Sequence, residues 1–160
     1  MALVIFTPTG PFNYLGLRTD LTATMAHHID VFLYGLFMDA DALRAKGLHP
    51  TNVRSACVRD FALRIGQRAT LVPSPAAEVY GFLIQLSHPE IEALYSDSSV
   101  RAYRPEAIIA ELADGRKCAA LCFNLETPPG SHEANAGYAE QLRALGRRLG
   151  LPAHYVDGIH

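Results

Sequence analysis

The sequence predicts an α+β domain built around a curled or barrel-like sheet. Two observations lead there. The segments run as strands, short helix, strands, short helix, hairpin and long helix, without the regular alternation of a doubly wound sheet. Residues 108–125, IIAELADGRKCAALCFNL, read as two strands joined by Asp114-Gly115, a pair favoured in two-residue type I′ hairpins.

Residues 1–28 are rich in Thr, Pro and Gly and hold no sustained period, so they read as a loose extension ahead of a domain spanning residues 29–160. Met25 lies close before the first strand signal and is a candidate alternative start. The run IDVFLYGLF (29–37) is almost wholly apolar, as a strand buried on both faces requires. DADALRAK follows as a short helix, with Asp39 as N-cap and Gly47 as its stop. A strand over 57–65 places Cys57, Phe61, Leu63 and Ile65 on one face and ends at Gly66. RATLVP (68–73), the loop SPAA and the strand EVYGFLIQL (78–86) come next.

Ser87-His88-Pro89-Glu90 is a capping box that opens a helix to about Tyr95. In the hairpin's second strand, Cys118, Ala120, Cys122 and Asn124 form one small-residue face, opposite Ala119, Leu121, Phe123 and Leu125. After Pro128-Pro129-Gly130, Tyr138, Leu142, Leu145 and Leu149 make a helical stripe that stops at Gly150, with Pro152 beyond.

The composition narrows the function classes. A chain of 160 residues, 49% hydrophobic and 19% charged, supports one cored domain and excludes a disordered one. A formal charge of -2 leaves no cationic excess for phosphates, which argues against nucleic acid as a partner. No apolar run approaches a membrane span, so no membrane partner is expected. The three cysteines are an odd count in a chain large enough to fold without them, which points to a reducing cytoplasm.

Standard catalytic motifs are missing: there is no Walker loop, GxGxxG, HExxH or GxSxG. Cys118 and Cys122 share a strand face but stand about 13 Å apart, too far to share one metal ion, so no metal and no cofactor is expected. The seven histidines fall mainly in loops and at the termini. The informative constellation is Tyr34, Gly35, Leu36 and Phe37 at the end of the first strand, Asp97 after the capped helix, and Tyr103 beyond it. A glycine where a strand stops either turns the chain or lets backbone N–H groups approach a ligand oxygen. Asp97 is open to two readings, a functional carboxylate or the acceptor of an Asx-turn in a Ser-rich loop.

Taken in order, VFLYGLFMD, RATLVP with EVYGFLIQLSHPEIEALY, and YRPEAIIAELADG resemble the γ-glutamylcyclotransferase-like (AIG2-like) family over about residues 29–125, and LGLPAHYV resembles the tail of its bacterial members. The resemblance implies a small mixed β-barrel flanked by short helices, with a C-terminal helix and a ligand cavity at the barrel mouth. It also implies a cofactor-free, transferase- or lyase-type reaction on a small γ-glutamyl amine or peptide. The α-amine attacks the γ-carbonyl, 5-oxoproline closes and the amine leaves. One carboxylate serves as base and then acid, and partial desolvation raises its pKa toward working pH.

The resemblance assigns substrate binding to Tyr34, Gly35, Leu36, Phe37 and Tyr103, with the loop N–H groups holding the glutamyl carboxylate. It assigns catalysis to a glutamate that this sequence does not place. Counting from Leu94 lands on Ser98, and counting back from Tyr103 lands on Asp97, the carboxylate taken as its replacement. Glu78 and Glu106 are the other acids to consider, and Asn124 is a candidate for the cavity wall. The polar YGS-type turn of the family is here YGL, which keeps backbone donors and loses a side-chain contact. The alternative reading is a member that binds a small acidic metabolite or a partner without turning it over.

Overall fold

The computed structural model describes residues 27–160. The expectation for the extension and for Met25 therefore lies, but for His27 and His28, outside the described residues. Five strands close into a barrel: β1 (His28–Leu33), β2 (Thr51–Ile65), β3 (Ala69–Ser87), β4 (Tyr103–Leu112) and β5 (Lys117–Leu125), in the order β1-β3-β2-β4-β5. Every pairing is antiparallel except the closing one of β1 with β5, at Val31 and Leu121, so the barrel is mixed.

The first strand is shorter than its apolar run suggests. It ends at Leu33, and Leu36–Met38 form a 3-10 turn in which Met38 N–H donates to the Gly35 carbonyl (3.0 Å). Helix α1 (Ala40–Ala45) is capped by Asp39, whose Oδ1 accepts from Asp41 N–H (3.0 Å), and it stops at Gly47, where φ is +82°. That left-handed conformation is one glycine adopts without penalty.

β2 starts six residues before its sequence signal, because its first half is polar and pairs outward along β3. SPAA is not a connecting loop. It is an irregularity inside one continuous β3, between the pairs Arg59↔Glu78 and Phe61↔Pro73. Asp60 and Ala76 both take positive φ there, and the Asp60 carboxylate accepts from Ala76 N–H (2.9 Å). Such an irregularity bends the strands, and beyond it the hairpin tip packs on the ends of β4 and β5. Leu125 N–H donates to Thr70 Oγ1 (2.9 Å), and the Tyr103 hydroxyl donates to the Ala69 carbonyl.

The β4–β5 hairpin also departs from the two-residue form. Leu112 N–H donates to the Arg116 carbonyl (2.9 Å), and Gly115 N–H donates to Leu112 (2.9 Å). Only Gly115 has positive φ (+83°), so the connection is a three-residue loop with a left-handed glycine, where type I′ needs two. The small face of β5 turns inward, with Ala120, Cys122 and Asn124 buried and Cys118 half-buried.

Helix α2 (His88–Tyr95) keeps its capping box: the Glu90 carboxylate accepts from the Ser87 N–H (2.8 Å) and hydroxyl (2.7 Å). Helix α3 (Ala136–Arg148) is capped by Asn135 and buries Ala139, Leu142 and Leu145 against the barrel. A short α4 (Ala153–Asp157), absent from the sequence reading, follows Gly150 and seats Val156 in the core. No helix among the described residues is long and apolar enough to cross a membrane.

Candidate functional site

The end of β1 opens a cavity of about 120 Å³. Several elements supply its wall: Leu33 to Phe37 from β1 and the 3-10 turn, Arg68 and Ala69 from the tip of the β2–β3 hairpin, Tyr95, Val100 and Tyr103 around the end of α2 and the start of β4, and Tyr138 from α3. Phe123 of β5 completes it.

Tyr34 is buried, and its hydroxyl donates to the Phe123 carbonyl (2.6 Å) with Asn124 Oδ1 at 2.9 Å. Asn124 is the polar hub beneath the cavity. Its Oδ1 accepts from Leu71 N–H (3.3 Å), and its Nδ2 donates to Glu106 (2.6 Å). The tip of the hairpin is thereby tied to β4 and β5 through one amide. Tyr95 stacks on Phe123 with centroids 3.9 Å apart and meets Phe37 edge-on at 6.2 Å. These contacts make the wall predominantly aromatic.

Gly35 lets α3 come close. A Cβ there would stand 2.9 Å from the Tyr138 hydroxyl oxygen, and the Leu36 N–H acts on that hydroxyl against the upward pull of burial. Burial pushes the hydroxyl pKa of Tyr34, Tyr95, Tyr103 and Tyr138 upward. All four stay protonated at neutral pH and act as hydrogen-bond donors.

The expected binding residues Tyr34, Gly35, Leu36, Phe37 and Tyr103 thus stand together around one space. Asp97 does not join them. It is exposed, and its Oδ1 accepts from Ser99 N–H (2.7 Å) in an Asx-turn. Hydrogen bonds from Ser99 hold its carboxyl below the ordinary range, with Lys46 and Arg68 adding to the effect. The desolvated, raised-pKa carboxylate anticipated here is not found, because a solvated loop hydrogen-bonds the charged form. Neither alternative acid lines the cavity: Glu106 binds Asn124 on the side beneath it, and Glu78 pairs with Arg59 on the outer sheet.

Asn124 lies under the wall and does not form part of it. Burial, reinforced by the Glu106 charge, pushes the Cys122 thiol up to about 12, which leaves it inert. Arg68, Tyr95 and Tyr138 are the polar wall residues that the sequence did not mark. Among the described residues no group of three His, Cys, Asp or Glu is placed to hold a metal ion.

Solved structures share this arrangement of barrel and helices. A protein described as gamma-glutamyl cyclotransferase superposes with a TM-score of 0.68 over 84% of this chain and 89% of its own, at 18% identity. The chain has the γ-glutamylcyclotransferase-like fold. An uncharacterised human protein of the same fold gives 0.67 at 19% identity over 83% of this chain and 88% of its own. A mouse AIG2-like protein gives 0.55 at 14% identity over 69% and 90%. No family model matches the sequence, and no curated protein matches it.

Within the γ-glutamylcyclotransferase-like fold, then, this chain builds a closed mixed barrel with an aromatic cavity at one end. Among the described residues the wall carries a guanidinium and four phenols and no carboxylate.

Proposed function

We propose that this chain binds a small carboxylate-bearing metabolite of the γ-glutamyl class, 5-oxoproline included, in the cavity beside Gly35, and holds it without cyclising it. The composition of the wall carries this reading. Cyclisation takes a proton from an ammonium and gives one to a departing amine, and protonated phenols and a guanidinium do not accept the first. The same groups suit a carboxylate, which takes hydrogen bonds from the phenols of Tyr95 and Tyr138 and charge from Arg68. The solved neighbour described as gamma-glutamyl cyclotransferase supports the γ-glutamyl class of ligand. Three free cysteines support a cytoplasmic setting.

The chain has no tryptophan, and four of its seven tyrosines line the cavity, so tyrosine near-ultraviolet signals report its occupancy. Titration with 5-oxoproline should give a saturable change that persists in Asp97→Asn. A flat response to both 5-oxoproline and a γ-glutamyl amide contradicts the reading.

A second reading, cyclisation with Asp97 as the acid-base residue, has one observation in its favour. Asp97 feels the charge of the wall residue Arg68, and the Asp97 carbonyl accepts from the N–H of Val100, another wall residue (3.0 Å). In that reading Asp97 swings inward, takes the proton of the α-ammonium and returns it to the leaving amine as 5-oxoproline closes. Release of 5-oxoproline that disappears in Asp97→Asn distinguishes it.

A further inference from the structure

We infer that Arg68 makes this cavity selective, within the γ-glutamyl class, for a carboxylate whose nitrogen carries no charge, as in 5-oxoproline, so that such a ligand is held more tightly than the same ligand carrying an α-ammonium. The inference rests on the proposal that a carboxylate-bearing metabolite occupies the cavity.

Most other arginines of the chain have a carboxylate partner, as Arg54 has Asp30 and Arg148 has Asp39. The Arg68 guanidinium makes no hydrogen bond or ion pair among the described residues, although the residue is half-buried and lines the cavity. Its charge acts on the phenols of Tyr103 and Tyr138 across the space. Asp97 feels the Arg68 charge without pairing with it, and a partly desolvated guanidinium with no direct carboxylate partner is costly, a cost that a ligand carboxylate offsets with paired, charge-assisted hydrogen bonds.

The remaining polar groups point the same way. The Tyr138 hydroxyl lines the cavity, has no hydrogen-bond acceptor among the described residues and stays protonated, so its proton is free to donate into the cavity. The Tyr95 hydroxyl has no hydrogen bond among the described residues, and its raised pKa keeps it a donor. Three of the wall's carbonyls are already engaged: Gly35 accepts from Met38 N–H, Ala69 from Tyr103 and Phe123 from Tyr34. Lys46 Nζ lies 5.8 Å from the ring centroid of the wall residue Phe37, and the carboxylate of Asp97 is committed to its own turn. A ligand ammonium would therefore meet a like charge with no wall carboxylate to offset it.

The decisive comparison uses γ-glutamyl anilide and glutaric acid monoanilide, which differ only by the α-ammonium. Both are titrated by calorimetry into the full chain and into Arg68→Gln and Arg68→Lys. The parent is expected to bind the monoanilide more tightly by on the order of tenfold. Arg68→Gln should weaken monoanilide binding by on the order of tenfold and abolish the preference, while Arg68→Lys retains the preference at lower affinity. Equal or tighter binding of γ-glutamyl anilide overturns the inference and leaves the binding proposal standing. So does monoanilide affinity that is unchanged in an Arg68→Gln protein with the parent's melting temperature. Failure of either compound, and of 5-oxoproline, to bind overturns both.

Discussion

The hydroxyl oxygen of Tyr138 lies 2.9 Å from the point where a Cβ on Gly35 would stand, so α3 reaches the end of β1 only because residue 35 has no side chain. Gly35→Ala should push the Tyr138 ring away, lower stability by about 1 kcal/mol and weaken ligand binding by on the order of tenfold. Removing the clashing oxygen in Gly35→Ala/Tyr138→Phe should restore part of the lost stability. A double-mutant cycle from urea unfolding is expected to give a coupling of about 1 kcal/mol. Strict additivity would show that the two residues do not meet as described.

Gly81 sits under a harder constraint. A Cβ there would stand 2.4 Å from the Leu33 carbonyl oxygen, where β3 crosses the end of β1, and backbone cannot step aside as a side-chain tip can. Gly81→Ala should cost about 2 kcal/mol or more. Gly137 provides the contrast, since it is exposed in the first turn of α3 and a Cβ would meet nothing nearer than 3.7 Å. Gly137→Ala should be neutral or stabilise by up to about 1 kcal/mol. Thermal melts of the two variants that coincide would contradict this.

Asn124 joins β3, β4 and β5 through Leu71, Glu106 and the Tyr34 hydroxyl. Asn124→Ala strands a buried N–H at Leu71 and should destabilise by about 2 kcal/mol. Denaturant unfolding checks the loss. Tyrosine near-ultraviolet spectra should also change, because Tyr34 loses one of its acceptors.

Glu90 makes the acid limb of stability readable. Burial raises its pKa, but hydrogen bonds from Ser87 and His49 outweigh burial and hold the carboxyl down to about 2, against an ordinary 4.5. Because the folded pKa is the lower one, its contribution is fully present above pH 4.5 and is lost as the pH falls from 4.5 toward 2. Glu90→Gln should cost about 1 kcal/mol at pH 7. The gap between parent and variant should close across that acid window in unfolding experiments at stepped pH, and a gap that is constant with pH would contradict the assignment.

Local signals in the sequence carried much of the fold. The capping box at Ser87, the glycine stops at Gly47 and Gly150, and the small inward face of β5 each depend on neighbours a few residues away, and each appears in the structure. Signals that depend on partners did not read correctly. SPAA has loop composition yet lies within β3, because Asp60 on the neighbouring strand supplies the acceptor for Ala76. Asp114-Gly115 suggests a two-residue turn, but the register of β4 against β5 needs only one left-handed residue.

The candidate site was legible on the stretch from Tyr34 to Phe37 and at Tyr103. Arg68 was not legible, because a bend far along a hairpin brings it there. Tyr138 looked like one more apolar position in a helical stripe. No local pattern marks a residue whose role is set by a strand irregularity elsewhere.

Whether the cavity holds its ligand or converts it is measured most directly by 5-oxoproline formation from γ-glutamyl anilide at saturating occupancy, followed by mass-resolved product analysis alongside Asp97→Asn. The account predicts occupancy with no 5-oxoproline above the level in Asp97→Asn. Catalytic release in the parent that vanishes in Asp97→Asn would contradict it.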